Sequence, residues 1–177
     1  MNINNSKEVT EIFKEVAEFI NDVGMRAIVL TEAEGAPAVS LLAGLQGEVE
    51  EGHYVVCSCM EPDQEEEGLA AYYQLFYEIP LDTDELDDFA VLQAVNAMNA
   101  VTKVGHFIWK KSKTGSRIHL RHAIVLTDEE ELKPEIICEC SQTLLDYALV
   151  MEGIIAALAS GLDIRKVLAD NELNLEV

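Results

Sequence analysis

The chain has 177 residues, with 33 Asp and Glu against 12 Lys and Arg, a formal charge of -21 at pH 7, and 49% hydrophobic residues. The hydrophobic share excludes a disordered polyanion, and the length suits a single domain over residues 1–177 with a core at about 6–160. The acidity disfavours nucleic acid and anionic membranes as partners. From the polar start no leader is expected, and the longest apolar run, 154–159, falls short of the roughly 20 residues a membrane span needs, so the cytoplasm is the expected location.

The elements follow in order. Val9, Ile12, Phe13, Val16, Ile20 and Val23 recur at a 3.6-residue period over 6–23 and predict an amphipathic helix, capped by Ser6 and stopped by Gly24. Two β-rich runs, 25–31 and 38–45, flank Glu34-Gly35-Ala36-Pro37 and predict a hairpin. A second pair, 53–60 and 71–79, is joined by the acidic run 61–68. In the later strand Tyr73, Leu75, Tyr77 and Ile79 share one face. Tyr72, Gln74, Phe76 and Glu78 share the other, which is expected to be half solvated.

A helix is expected from a cap at Asp82, Thr83 or Asp84 to about Val104, burying Val91, Ala94, Val95, Met98 and Val101 and ending at Gly105. Strands 106–111 and 117–126 form another hairpin around residues 113–116. On its second strand Ile118, Leu120, His122, Ile124 and Leu126 oppose Arg117, His119 and Arg121. Pro134 opens a long helix to about 160, with Ile136, Cys140, Leu144, Tyr147, Met151, Ile154 and Leu158 inward. A short helix and polar tail fill 161–177. The order α-ββββ-α-ββ-α implies an α+β fold with an antiparallel sheet packed against helices.

The charge is unevenly spread. Between Phe89 and Thr127 there is no acid, yet Lys103, Lys110, Lys111, Lys113, Arg117 and Arg121 all fall there. Such a basic hairpin either balances acids from neighbouring elements or receives an acidic ligand, an acidic partner segment or a second copy. Glu61, Asp63 and Glu65-Glu66-Glu67 are most simply a solvated loop. Cys57 with Cys59 and Cys138 with Cys140 are spaced C-x-C, whereas structural zinc sites space their ligands C-x2-4-C, so reduced core thiols are expected and no metal. Lys113-Thr114-Gly115 lacks the accompanying S-x-x-K of penicillin-recognising enzymes. Phosphate-loop and G-x-S-x-G patterns are missing, and the four histidines lack metal spacing. His122, on the apolar side, is expected as a hydrogen-bonded core histidine. No catalytic residue and no cofactor is assigned. Asn96 and Asn99 are poor helix formers in mid-helix, so they are expected either to bond nearby backbone or to line a groove.

Leu92-Gln93-Ala94-Val95-Asn96-Ala97-Met98-Asn99, continuing through Gly105-His106-Phe107-Ile108-Trp109, resembles the YbjN-type family of sensory transduction regulators. The element order is also similar to the class I type III secretion chaperone fold, which has three strands before its middle helix where four are expected here. The resemblance implies a non-enzymatic, commonly dimeric domain that binds another protein along apolar patches and sheet edges. The residues expected to carry such binding are Tyr72 and Phe76 on the half-solvated face and Lys110, Lys111, Lys113, Arg117 and Arg121 on the basic hairpin. A sensory domain for a small anion or metabolite, using the basic hairpin, is the competing expectation. A hydrolase or metal enzyme is less favoured.

Overall fold

A computed structural model describes residues 6–47, 49, 52–60, 69–127 and 129–173. Its elements are α1 (Ser6–Asp22), β1 (Arg26–Leu30), a short 3-10 turn (Glu32–Glu34), β2 (Ser40–Gly44), β3 (Val55–Met60), β4 (Leu69–Glu78), α2 (Asp88–Val101), β5 (His106–Ser112), β6 (Gly115–Thr127), α3 (Pro134–Ala159) and α4 (Ile164–Asp170). The strands form one six-stranded antiparallel sheet in the order β1-β2-β3-β4-β6-β5. The α+β class and the element order are as the periodicities predict. The acidic run 61–68 lies outside the described residues.

Two compact units are formed, each from two chain segments: residues 1–76 with 122–145, and residues 77–121 with 146–177. In the first, α1 lays its apolar stripe on β1 and β2. Phe13 and Ile20 are fully buried there, and the Phe13 ring meets Tyr73 of β4 at 6.1 Å between centroids. Burial of each such side chain is worth about 1.5–3 kcal/mol. Gly24, at φ 90°, ends the helix in the left-handed region that favours glycine. Gly44 has a steric reason to be glycine. A Cβ there would stand 2.6 Å from the His53 carbonyl oxygen and 2.7 Å from Val49 Cγ2.

In the second unit, α2 starts later than the acidic residues before it suggest. Asp87, not Asp82, Thr83 or Asp84, is its N-cap, accepting a hydrogen bond from the Ala90 N–H at 3.0 Å. Thr83 and Asp84 are engaged by the basic hairpin instead, so they are unavailable as caps. Val101 is 44% exposed and leaves the expected stripe, while Ala97 joins it. On α3, Ile136 is likewise exposed and Ile137 buried in its place. By length and composition α3 would pass for a membrane-crossing helix, with mean hydropathy 1.4 over 18 residues. Its apolar residues include core positions of both units, Ile137 and Leu144 in one and Met151 and Ile154 in the other.

Asn21 and Asn99 perform matching tasks. The Asn21 side chain accepts from the Ala27 N–H at 3.0 Å and donates to the Ala27 carbonyl at 3.2 Å. Asn99 does the same for Phe107, at 2.7 and 3.0 Å. Each amide satisfies both backbone groups that an outermost strand turns away from its neighbour.

Candidate protein-binding surface

Cross-strand register decides which side chains share a surface in the first unit. Ile28 pairs with Leu42, Leu42 with Val56, and Val56 with Phe76, which sets one apolar row across four strands. At about 4.8 Å per strand the row is roughly 14 Å wide. The adjoining row runs Leu30, Ser40, Ser58, Gln74, with the Ser40 and Ser58 hydroxyls 3.2 Å apart. A further pair joins Met60 to Tyr72. All four residues of the apolar row are half-exposed, as are Tyr72 and Gln74, and Met60 is 49% exposed. None of these residues carries charge, in a chain of net charge -21. The intervening residues Leu41, Cys57, Tyr73 and Leu75 point the other way and are buried. Tyr72 and Phe76 thus lie where the alternation of β4 predicts.

Cys57 belongs to that buried side, Cys138 is buried on α3, and Cys59 and Cys140 are half-exposed. All four cysteines are free. Burial pushes the Cys57 thiol far up, with Cys59 and Cys140 adding to the effect, and the Cys138 Sγ lies 3.9 Å from the Met25 Sδ. Thiols raised in this way are poor nucleophiles. Among the described residues no three His, Cys, Asp or Glu side chains are grouped to hold a metal ion.

A separate cavity of about 260 Å³ opens in the same unit, lined by Ile12, Glu15 and Val16 of α1, Ala71 and Tyr73 of β4, Leu126 of β6, and Glu130, Glu131, Leu132 and Pro134. Glu130 accepts from both the N–H and the hydroxyl of Thr127 at 2.9 Å, which lowers its pKa.

The second unit presents a different surface. β5 and β6 form a hairpin with the two-residue turn Lys113-Thr114, tighter than the expected residues 113–116. Lys110 pairs in register with Arg117, Ile108 with His119, and His106 with Arg121. Lys110, Arg117, His119 and Arg121 therefore share one face. Lys111 is on the other, over the Trp109 ring at 5.5 Å, and its ammonium contacts both Asp88 oxygens at 2.7 and 2.8 Å. Arg117 stands 3.4 Å from Asp82 and 3.8 Å from Glu78. Asp84 accepts from the Ser116 N–H at 2.6 Å and from its hydroxyl, and these bonds hold its carboxyl below the usual range. The Trp109 indole donates to the buried Thr83 hydroxyl at 3.1 Å. Much of the hairpin's charge is thus matched by acids lying just outside the acid-free window. Lys110, Ser112, Thr114, Gly115, Arg117 and His119 line a shallow hollow of about 290 Å³.

His119 is the buried histidine, at 8% exposure, while His122 is half-exposed, the reverse of the sequence expectation. Its Nε2 lies 3.2 Å from Glu78. Burial lowers its pKa, Arg121 and Lys110 press the same way, and Glu78 opposes them. Both asparagines of α2 are exposed residues, and of the two Asn99 is the one that bonds strand backbone among the described residues. Sequence reasoning missed Asn21, Glu78 and the row partners Ile28, Leu42 and Val56. Asn21 had a signal, three residues before a glycine stop and a strand, but the row needed the pairing register. No known family model matches the chain, and neither a curated protein nor a solved structure matches it significantly.

Proposed function

We propose that this chain is a non-enzymatic protein-binding domain, chaperone-like or regulatory, that engages its partner through the largely apolar sheet surface around Tyr72 and Phe76. The row Ile28-Leu42-Val56-Phe76 carries this reading. A contiguous, half-exposed apolar row is a surface that gains by being covered, and the surrounding negative charge deters indiscriminate clustering. The likeness to YbjN-type regulators and to type III secretion chaperones supports the same class. With the Asn21 and Asn99 amides on the outward groups of Ala27 and Phe107, apolar contact is favoured over strand addition at those positions. The domain is proposed to act in the cytoplasm, without cofactor, as a homodimer. For dimerisation α3 offers Leu149, 47% exposed, and Val150, 39%, beside exposed Gly153 and Ala156 on one stripe of the helix.

The test is affinity capture from cell extract with wild type and Phe76→Lys in parallel, together with light scattering of the purified chain. A stoichiometric partner retained by wild type and lost by the folded variant is the expected result. Equal capture by both would sink the surface assignment, and a monomer at every concentration would sink the homodimer. The hollow beside Lys110, Arg117 and His119 favours a second reading, an anion or phosphate-bearing metabolite sensor. Thermal shift with such metabolites checks it, since a ligand at 100 times its Kd adds about 2.7 kcal/mol.

A further inference from the structure

The cavity between α1, β4 and the segment leading into α3 combines two properties that select a ligand together. Its walls are apolar, with Val16, Tyr73, Leu126 and Leu132 contributing, while Glu15, Glu130 and Glu131 are the charged groups among its lining residues. All three are exposed residues at the cavity, so water reaches their carboxylates as well. Among the described residues no Lys or Arg belongs to the lining. An anion is repelled by such a site, and a neutral apolar molecule leaves the carboxylates without a counter-charge. A compact metal ion would gain nothing from the apolar walls. What matches both parts is a short hydrocarbon stem ending in an ammonium or guanidinium group, with the stem lying along the walls and the head held among the carboxylates and water. At about 260 Å³ the cavity is slightly smaller than typical drug-sized pockets of roughly 300–1,000 Å³, which suits a stem of a few carbons.

We infer that this cavity is a binding site for an organic cation of that form, either a free alkylamine or the side chain of a lysine or arginine on a peptide. The site is separate from the row centred on Phe76 and does not depend on what that surface binds.

The experiment is a two-dimensional NMR titration of the full chain with three probes: n-hexylammonium, uncharged n-hexanol, and the tripeptide acetyl-Leu-Arg-Leu amide. The expected result is saturable shifts at Ile12, Val16 and Leu126 with one or both cations, and much weaker shifts with hexanol. The double variant Glu15→Gln, Glu131→Gln should weaken the cation by about tenfold, the effect of two partly exposed charge contacts. Both substitutions preserve side-chain shape at exposed positions, and the amide spectrum verifies that the variant is folded. Tighter binding of the tripeptide assigns the site to a peptide side chain, and tighter binding of hexylammonium assigns it to a free amine. Hexanol binding as tightly as either cation, cation binding unchanged in the double variant, or no saturable shift with any probe would each overturn the assignment.

Discussion

The sheet surface of the first unit and the basic hairpin of the second are both exposed β-structure, but they manage exposure in opposite ways. Around Phe76 the side chains are apolar or uncharged polar apart from Glu78, two residues on along the same face of β4. Around Arg117, Lys110 and Arg121 share its face and Lys111 lies on the other, and Glu78, Asp82, Asp84 and Asp88 are drawn in as counterparts. Local matching takes up much of the hairpin's charge, whereas the apolar row presents half-exposed hydrocarbon on four adjacent strands. On the proposed function, the larger free-energy gain from a partner belongs to the surface with the fewer conspicuous residues.

The sharpest way to break this comparison is to place charge on the row. Phe76→Lys should weaken partner binding by roughly 100-fold or more, the effect of losing a central aromatic anchor and burying a cation in its place, with little change in circular dichroism. A binding measurement showing less than a threefold loss would make the two surfaces equivalent. Next in size, Asn99→Ala should destabilise the chain by about 1–3 kcal/mol in urea, because the Phe107 backbone loses two hydrogen bonds. Asn96→Ala, one turn earlier and away from the Phe107 backbone bonds, should stay within about 0.5 kcal/mol.

A smaller effect concerns pH. The folded His119 pKa lies below the ordinary value of 6.5, so the unfolded chain takes up this proton first as pH falls. Its contribution to stability is full above about pH 6.5 and is lost as pH drops through the folded value. His119→Gln should remove that slope from Tm measured against pH, leaving the steeper acid loss due to lowered carboxylates such as Asp84 and Glu34. The smallest effect is expected from Lys110→Glu with Lys113→Glu. Both side chains are exposed, and Tm should move by no more than about 0.5 kcal/mol allows. A large loss of partner binding in this pair would show that the hairpin's charge is reserved for association after all.

Most of the architecture was legible because local patterns encode it. The 3.6-residue stripe of α1, the alternation of β4 and the glycine after α1 each act within a few residues. What was not legible depended on contacts distant in sequence. Asp82, Thr83 and Asp84 look like helix caps by position, but Thr83 is bonded to Trp109 and Asp84 to Ser116. Val101 and Ile136 fit helical stripes yet are exposed, since a stripe says which residues align and not how wide the covering layer is. The basic window was visible as a bias in charge, but its counterparts Glu78, Asp82 and Asp88 lie outside it, so sequence separates what the fold joins. The apolar row was the hardest to see, because its four members come from four strands and share no local period.

The two asparagine amides have a kinetic meaning as well as a structural one. Asn21 reaches a residue six positions on, and Asn99 one eight positions on. Loops of about ten residues close in roughly 10–100 ns, so each helix end, glycine stop and following strand can come together long before distant segments meet. The bond from the Ile79 N–H to the Ile118 carbonyl must wait for a far longer chain closure. Pulse-labelled hydrogen exchange should find the Ala27 and Phe107 amides protected first during refolding and the Ile79 amide last. Protection of Ile79 ahead of both would show that the sheet condenses from its middle strands instead.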